Sequence, residues 1–309
     1  MGAAALFAGV DGGGSRTRAL LGDAGGRVLG AGNGPPSNHY AVGADGAMAA
    51  IAGALAAAAA QAGLDSTPEL TAACFGLAGV NRPADQELLE RALRERGFAP
   101  RTAVVNDVEL VLAAGTGGWG IALAAGTGSI GYGRARDGRT ARAGGWGYIL
   151  GDEGSGYSIA SQALHLATQT ADGRASAPRI LGEVLRHWNL DVPEQLLGRV
   201  YRRDTTIGEI AALTSRILPL AEEGDAAAIE LCDRAASQLA QVVDAVAQPL
   251  GFDAASPPAL ALAGGVLRSS PRIRGELVRR VRTPLGPSTV VVDPAEGALL
   301  LARRLAGAA

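Results

Sequence analysis

The first third of the chain alternates short apolar runs with glycine-containing turns and longer helical stretches. This pattern predicts the order strand–strand–strand–helix–strand–helix–strand. An alanine-rich stretch predicts a first helix, with Asp45 near its start as a possible cap and Gly63 just past its end. Pro83 opens the second predicted helix. The predicted strands lie at about 5–11, 16–22, 27–32, 71–78 and 102–105, and the predicted helices at about 44–62 and 84–96.

The same order returns in the rest of the chain, with an interruption. Three strand patterns are followed by a long helical block, then by a strand, a helix, a strand and a closing helix. The predicted strands lie at about 120–125, 129–136, 140–144, 259–263 and 289–292, the helical block at about 155–250, and the later helix opens at Ser269 or Ser270.

Two copies of one order predict a duplicated α/β fold of the actin-like class (ASKHA, ribonuclease H-like), with two lobes around a ligand-binding cleft. The glycine-rich stretch 114–118 is the predicted boundary. We therefore expect residues 1–116 to form the N-terminal lobe and residues 117–309 the C-terminal lobe, which carries the helical insertion. The last helix is expected to pack back on the first lobe.

Two glycine-rich turns, at 9–18 and 125–133, each lie between two strand-like runs. A turn of glycine and small hydroxyl residues exposes several backbone N–H groups that can close around phosphate oxygens. Two such hairpins, one in each half of the chain, suggest that a nucleotide triphosphate is held from both sides. The alternative is that both are ordinary glycine-bearing β-turns.

Two other nucleotide-binding motifs do not match the chain. Residues 126–131 satisfy the dinucleotide pattern G-x-G-x-x-G, but that motif requires a following helix, and here an extended segment leads to the hairpin signal Asp137-Gly138. A P-loop requires Lys, whereas all 28 basic residues of this chain are Arg. Phosphate charge must therefore be neutralised by backbone dipoles, hydroxyls, Arg and a metal ion.

The 309-residue chain is 48% hydrophobic and 19% charged, with a formal net charge of −2. This balance is typical of a globular protein and gives no electrostatic argument for binding nucleic acid or an anionic membrane. Cys74 and Cys232 lie far apart in apolar stretches and are expected in the core of a protein from a reducing compartment. With no basic leader and no uninterrupted apolar run of membrane-spanning length, we expect a cytoplasmic protein.

Two aspartates follow buried strands at positions suited to phosphoryl chemistry. Asp11 ends the first strand beside three glycines, where a carboxylate can hold Mg²⁺ next to bound phosphates, although it could also be a turn-forming residue. Asp107 follows the strand at 102–105 and is the candidate general base that accepts a hydroxyl proton during phosphoryl transfer. Its alternative role is to cap a helix that begins at Val108.

The glycine-dense segment 143–156 is the most distinctive of the second half. Trp146 offers an apolar platform for a sugar ring, and Asp152 and Glu153 can accept hydrogen bonds from paired hydroxyls. Asp152 could instead cap the helix that begins near Ser155.

Two further polar or glycine-containing segments complete the candidate site. Asn38-His39 forms a polar loop tip in the first lobe, placed to close over a substrate. Gly264-Gly265 ends a strand, where the absence of side chains would let an adenine ring lie against the backbone.

These motifs together resemble the BadF/BadG/BcrA/BcrD ATPase family, and within it N-acetylglucosamine kinases, over nearly the whole chain. The resemblance rests on residues 9–15, 37–39, 106–107, 126–129, 144–147 and 151–155. It implies an ATP- and Mg²⁺-dependent kinase for the C6 hydroxyl of N-acetylglucosamine, and a homodimer, which is common among relatives. The implied nucleotide-binding residues are Asp11, Gly13, Gly14, Ser15, Gly126, Thr127, Gly128, Gly264 and Gly265, and the implied sugar-binding residues are Asn38, His39, Asp107, Ser129, Gly145, Trp146, Gly147 and Asp152.

Several alternatives stay open beside this resemblance. Animal N-acetylglucosamine kinases carry Asn where this chain has Ile130, so glucosamine and N-acetylmuramate are alternative substrates. The same family contains ATP-driven electron-transfer activators, but Cys74 and Cys232 have no close-spaced partner for an iron–sulfur cluster. ROK sugar kinases carry a cysteine-rich zinc loop that this chain lacks. A sugar sensor without catalysis has little support while Asp107 is present.

Overall fold

The computed structural model describes residues 5–80 and 82–308. The chain divides into two compact units, the first formed by Met1–Trp119 with Val291–Ala309 and the second by Gly120–Val290. The C-terminal segment thus belongs to the first unit, and the boundary follows Trp119, slightly later than the glycine-rich stretch suggested.

Unit 1 contains one five-stranded sheet in the order β3-β2-β1-β4-β5. The β1–β2 and β2–β3 pairs are antiparallel, and the β1–β4 and β4–β5 pairs are parallel. Its elements are β1 (Leu6–Gly12), β2 (Thr17–Asp23), β3 (Val28–Gly34), α1 (His39–Gln61), β4 (Ala72–Leu77), α2 (Pro83–Arg96), β5 (Thr102–Asn106), α3 (Asp107–Thr116) and, after unit 2, α12 (Ala295–Leu305).

Unit 2 repeats this arrangement in the order β10-β9-β6-β7-β8, with β6 in the central place that β1 has in unit 1. The strand directions match as well, so the predicted duplication is confirmed. Its elements are β6 (Gly120–Ala125), β7 (Ser129–Arg134), β8 (Thr140–Gly144), α4 (Gly156–Ala171), α5 (Pro178–His187), α6 (Gln195–Val200), α7 (Ile207–Ala212), α8 (Thr214–Glu222), α9 (Ala226–Leu250), β9 (Leu260–Ala263), α10 (Gly265–Ser269), α11 (Pro271–Arg280) and β10 (Ser288–Val290).

Both faces of the unit 1 sheet are covered by helices. Successive residues of a strand point to opposite faces, so neighbouring residues of β1 join different hydrophobic clusters. Ala8 and Val10 of β1 belong to the hydrophobic cluster shared with α1 and α2. Phe7 of the same strand belongs to a second cluster, which includes Leu110 of α3 and Leu299 of α12. The C-terminal helix therefore completes one face of the first sheet.

The contact between β3 and α1 is made of glycine and alanine. A Cβ atom at Gly32 would lie 2.0 Å from the carbonyl oxygen of Ala54, and one at Gly30 would lie 2.1 Å from that of Ala58. At such distances only glycine lets the strand and the helix backbones meet. The alanine-rich run is thus one side of a close helix–strand contact.

The start of α1 differs from the prediction. The helix begins at His39 and is capped by the side chain of Asn38, which accepts a hydrogen bond from the Tyr40 backbone N–H. A non-helical Gly43, at φ +71°, separates this first turn from the long run of the helix. Asp45 lies exposed after the kink and is not the cap.

Of the described helices, α1 is the one long and apolar enough to cross a membrane by length and composition. Ala47, Ile51 and Leu55 on this helix are buried in the core of unit 1. Its apolar residues therefore have a packing role in the folded unit.

In unit 2, the long helix α9 packs on the sheet through larger side chains. Val242 and Val246 of α9 lie against Gly131 and Gly133 of β7. Cys232 on the same helix is buried in this cluster, as predicted for a core cysteine.

The β3–α1 contact can be tested with two glycine substitutions. Gly32→Ala forces the helix away from the strand, and overpacking of this kind costs about 1–3 kcal/mol or more. Gly53→Ala, on the exposed side of α1 where a Cβ atom meets no atom within 4 Å, should stabilise the helix by roughly 0.5–1 kcal/mol. Thermal unfolding should show opposite shifts of Tm; a Gly32→Ala variant as stable as the parent would contradict this account.

Candidate active site

The first glycine turn joins β1 to β2 and projects from the end of the sheet. Its hairpin is closed by the Gly13 backbone N–H, which donates to the Arg16 carbonyl oxygen at 2.9 Å. Gly14, Ser15 and Arg16 at its apex are exposed, and a Cβ atom at Gly14 would meet no atom within 4 Å. The turn thus offers backbone and hydroxyl groups, with open space, to an anionic ligand.

Hydroxyl hydrogen bonds tie the segment after β3 to this turn. The buried Thr17 hydroxyl donates to the Pro35 carbonyl oxygen at 2.6 Å and lies 2.9 Å from the Ser37 hydroxyl. The Ser37 backbone N–H donates to the Gly13 carbonyl oxygen at 3.1 Å. These bonds hold the start of α1 beside the candidate phosphate turn.

The structure places Asn38 and His39 at the start of α1, and the expectation of a polar loop tip is wrong for His39. Its side chain is buried, with its ring centroid 4.2 Å from that of Tyr40 and its Nε2 atom 3.5 Å from Asp85 Oδ1. Asn38 is half-buried and caps the helix.

Asp107 is the first residue of α3, at the carboxyl end of β5. The preceding Asn106 caps this helix: its side chain accepts from the Val108 N–H at 3.1 Å, and Glu109 completes a capping box. The alternative of Asp107 as the cap is therefore wrong. Burial raises the pKa of Asp107, while hydrogen bonds from the backbone N–H groups of Val108 and of Asp107 itself oppose the rise.

Asp11 lies near the end of β1 in the same unit. Burial raises its pKa to about 7, the negative charges of Asp107 and Asp293 add to the rise, and Arg16 opposes it. A carboxylate under this repulsion is stabilised by a nearby cation, and Mg²⁺ commonly uses only one or two protein carboxylates together with phosphate oxygens and water. Among the described residues, no group of three or more His, Cys, Asp or Glu is arranged to hold a metal ion.

Sequence reasoning missed Asp293, which joins this acidic region from the far end of the chain. Its Oδ2 atom accepts from Arg18 Nε at 3.0 Å, and its Oδ1 atom accepts from the Ala295 backbone N–H at 3.2 Å. The sequence signal, Asp before Pro at a helix start, indicates only a cap. Its position near Asp11 depends on the return of the chain to unit 1.

The second glycine turn, in unit 2, is tied to the start of α4. The Gly126 carbonyl oxygen accepts from the Gly156 N–H at 2.7 Å, and the Thr127 carbonyl oxygen accepts from the Tyr157 N–H at 3.3 Å. Thr127 itself is exposed. Ser155 caps α4 by accepting from the Ser158 N–H, so the alternative of Asp152 as the cap is wrong.

Asp152 connects this turn to the glycine-dense segment. A Cβ atom at Gly128 would lie 2.6 Å from Asp152 Oδ2, so only glycine leaves room for the carboxylate there. Burial raises the pKa of Asp152, against hydrogen bonds from the backbone N–H groups of Ser129 and Gly147. Asp152 also has a left-handed backbone, at φ +60°. The Ser129 hydroxyl donates to the Glu153 carbonyl oxygen at 2.8 Å.

Trp146 is 64% exposed, and the guanidinium of Arg142 lies 5.3 Å from its ring centroid. The neighbouring Gly145 has φ +68°, and a Cβ atom there would lie 2.8 Å from Ile130 Cδ1. Ile130 therefore presents an apolar side chain directly behind Gly145. The exposed indole remains available as a platform for a ligand ring.

Gly264 and Gly265 differ in what the fold requires of them. A Cβ atom at Gly264, which has φ +93°, would lie 2.2 Å from the Ala125 carbonyl oxygen, so the sheet itself demands glycine. A Cβ atom at Gly265 would meet nothing within 4 Å. Only Gly265 therefore has the open backbone that an adenine ring would need.

Comparison with known proteins gives a family match along most of the chain. The model of the BadF/BadG/BcrA/BcrD ATPase family matches residues 8–302. Over 243 residues the chain is 36% identical to an N-acetylmuramic acid/N-acetylglucosamine kinase from Clostridium acetobutylicum, covering 77% of this chain and 79% of that protein.

Solved structures agree with this match. A candidate N-acetylglucosamine kinase from Chromobacterium violaceum is 30% identical, with a TM-score of 0.77 over 96% of this chain and 99% of the other. A ROK family glucokinase from Streptomyces griseus, solved with glucose and AMPPNP, is similar in fold alone, at 21% identity and a TM-score of 0.59 over 97% and 99% of the chains. The predicted actin-like fold is confirmed.

The raised pKa of Asp11 predicts a pH-dependent effect on stability. Between the ordinary value of 3.8 and the folded value of about 7, the folded chain binds more protons at Asp11 than the unfolded chain. The penalty for burying this carboxylate should therefore grow from pH 4 to pH 7 and then level off. Asp11→Asn removes the penalty, so its Tm should exceed that of the parent by an amount that grows over this range; the difference between a pKa of 3.8 and one of about 7 corresponds to about 4 kcal/mol at the upper end.

Asp45→Asn, at an exposed position on α1, serves as the control for loss of one negative charge. A Tm difference for Asp11→Asn that is the same at pH 4.5 and pH 7.5 would show that burial does not perturb Asp11.

Proposed function

Because this chain belongs to the BadF/BadG/BcrA/BcrD ATPase family, we propose that it is an ATP-dependent amino-sugar kinase acting on the C6 hydroxyl of N-acetylglucosamine or a close relative. The observation that carries the proposal is the carboxylate of Asp107 at the end of β5, whose pKa is raised by burial and whose helix is capped by Asn106, in a chain 36% identical to an amino-sugar kinase. A carboxylate there can accept the proton of an attacking hydroxyl.

The proposal assigns ATP to the two glycine turns and to Gly265. Ser15 and Thr127 would bind phosphate oxygens through their exposed hydroxyl and backbone N–H groups. The exposure of both turn apices and their anchoring at the backbone support this assignment. The remaining proposed nucleotide-binding residues are Gly13, Gly14, Gly126, Gly128 and Gly264, of which Gly264 also has the packing role described above.

The sugar is assigned to Asp107, Asn38 and His39 in unit 1 and to residues around Asp152 in unit 2. In unit 2, Asp152 accepts hydrogen bonds from the backbone N–H groups of Ser129 and Gly147, and the Ser129 hydroxyl donates to the carbonyl oxygen of Glu153. Trp146 and Gly145 border this group and would pack against the ring. A carboxylate that accepts two hydroxyl hydrogen bonds, next to an aromatic face, is a common arrangement for binding sugars.

In the proposed reaction, the C6 oxygen of the sugar forms a bond to the γ-phosphorus of ATP while the bond to the β-phosphate oxygen breaks. The proton of the C6 hydroxyl passes to the carboxylate of Asp107, and ADP leaves with the electron pair of the broken bond. Positioning and charge neutralisation account for most of the catalysis in such transfers.

Asp11 is the proposed Mg²⁺ ligand. When bound, the ion would neutralise charge on the β- and γ-phosphates. The carboxylates of Asp107 and Asp293, which lie near Asp11 in unit 1, add to the local negative potential that attracts a cation. Asp293 is also held by Arg18, so Asp11 is the carboxylate that remains to bind the ion.

The preferred amino sugar is open to direct test. Ile130 gives the site an apolar contact where animal kinases carry Asn, and the Clostridium relative acts on both N-acetylmuramic acid and N-acetylglucosamine. A panel of N-acetylglucosamine, N-acetylmuramate, glucosamine and glucose, with coupled detection of ADP, ranks these substrates by kcat/KM. Turnover of none of them would refute the proposed function.

An electron-transfer activator is not favoured as an alternative. Burial raises the pKa of Cys74 to about 12 and that of Cys232 to about 11, so neither thiol is suited to ligate a cluster. Both are free and buried. The reduced cysteines also fit the proposed cytoplasmic location. We further propose a homodimer, which sedimentation would test.

Substitution of Asp107 tests the catalytic assignment. Asp107→Asn keeps the shape but cannot accept the proton, so kcat should fall by about 10²–10⁴. The KM for ATP should stay within about threefold, because this residue does not bind the nucleotide in the proposed scheme. Asp107→Ala should in addition raise the KM for the sugar, since the hydroxyl loses its hydrogen-bond partner.

The exposed Asp45→Asn variant again controls for the loss of one carboxylate. Because the pKa of Asp107 is raised, the kcat of the parent should decline on acidification at a higher pH than an ordinary aspartate would give. If Asp107→Asn keeps kcat within a few-fold of the parent, the base lies elsewhere, and Asp152 is the next candidate.

A further inference from the structure

We propose that Asp85 is a positioning residue that fixes the imidazole of His39 so that its Nδ1 atom accepts a hydrogen bond from a hydroxyl of the sugar. This inference rests on the proposed function in one respect, which is that the ligand of His39 is a sugar. The pairing of Asp85 with His39 is independent of that proposal.

The buried imidazole of His39 is unusual because neither of its nitrogens has a hydrogen-bond partner in the described structure. The nearest charged group is Asp85, whose Oδ1 atom lies 3.5 Å from Nε2 and whose Oδ2 atom forms an ion pair with Arg82. Buried polar atoms without partners cost free energy and call for a specific explanation. A shift of about half an ångström would bring Nε2 and Oδ1 to hydrogen-bond distance.

Asp85 is held by Tyr40 at Oδ1, the same oxygen that faces His39, and by Arg82 at Oδ2. The Tyr40 hydroxyl donates to Asp85 Oδ1 at 2.8 Å, and the Nε atom of Arg82 lies 3.3 Å from Oδ2. Arg82 also donates to the Tyr40 hydroxyl oxygen at 2.6 Å. Burial raises the pKa of Asp85, but the Tyr40, His39 and Arg82 interactions together lower it below its usual value. The residue is therefore a carboxylate in a defined position.

A carboxylate facing Nε2 favours the tautomer that carries the proton on Nε2. In that tautomer Nδ1 has a lone pair and can only accept a hydrogen bond. No group of the described chain donates to Nδ1. A ligand that satisfies it must therefore offer a donor, and a sugar hydroxyl is such a group.

The position of His39 agrees with a role in binding the substrate. Its Cε1 atom would lie 3.2 Å from a Cβ atom at Gly79, which follows β4 and has φ +90°. The next residue, Val80, accepts a hydrogen bond at its carbonyl oxygen from the Asn106 side chain at 3.0 Å. Asn106 directly precedes Asp107. His39 and the proposed base thus lie along the same edge of the unit 1 sheet.

A purely structural role for Asp85 makes a different prediction. Asp85 lies in the first turn of α2, where a negative charge stabilises the helix dipole. Loss of that effect would lower Tm and leave the tautomer of His39 and the affinity for sugar unchanged. Glu87→Gln, on the same helix at an exposed position, is the matched control for a lost negative charge.

The first experiment measures the His39 tautomer by NMR of protein with ¹⁵N-labelled histidine. The chain has only three histidines, so the His39 signals can be assigned with one His39→Gln variant. We expect the proton on Nε2 in the parent and in Glu87→Gln, and a loss of this preference in Asp85→Asn. Identical His39 signals in Asp85→Asn and the parent would overturn the pairing, whether or not any sugar is phosphorylated.

The second experiment measures kinetics with the amino sugar that the panel ranks first. Asp85→Asn should raise the KM for the sugar about tenfold, with kcat and the KM for ATP within about threefold. In a His39→Ala background, Asp85→Asn should have no further effect on the sugar KM, because Asp85 acts through His39. Equal effects in both backgrounds would overturn the proposal.

Two outcomes separate this inference from the proposed function. If no sugar of the panel is turned over by the parent, the kinase proposal fails, while the tautomer measurement still judges the Asp85–His39 pair. If Asp85→Asn does not fold, Asp85→Glu takes its place in both experiments. Asp85→Glu keeps a carboxylate, so His39 should keep its proton on Nε2 in that variant. Loss of the Nε2 proton in Asp85→Glu would count against the pairing.

Discussion

The close contact between β3 and α1 constrains much of what unit 1 can do. Glycines on the strand and alanines on the helix bring the two backbones together, so their spacing cannot vary with side-chain conformation. A strand and a helix held in this way also fix the segment between them. That segment contains Ser37, Asn38 and His39, and it crosses beside the first glycine turn. Small residues outside the candidate site thus determine where its polar groups in unit 1 lie.

The two units anchor equivalent glycine turns by different means. In unit 1 side-chain hydroxyls take part, through the contacts of Thr17 with Pro35 and Ser37, together with the Ser37 backbone N–H that donates to Gly13. In unit 2 the turn is held by backbone N–H groups at the start of α4. A helix N-terminus that binds its own turn in this way is no longer free to bind an anion directly. Phosphate recognition in unit 2 is therefore left to the turn itself.

The strand order was predictable because it depends on local patterns of apolar residues and glycine turns. Most strands and helices begin within a residue or two of their predicted positions. One error occurred where a neighbouring residue took the same role: Asn38 caps α1 in place of Asp45. The contacts of Asp293 and Asp85 were not predictable, because each joins residues far apart in the chain.

The return of α12 to unit 1 has a consequence for synthesis of the protein on the ribosome. Phe7, Leu20 and Leu110 form an apolar face that this helix covers, yet the helix is made only after the whole of unit 2. While the chain grows, that face stays open, and unit 2 can complete its own core first. Unit 1 is thus translated early and completed last, and during that interval its uncovered apolar surface is open to non-native contacts.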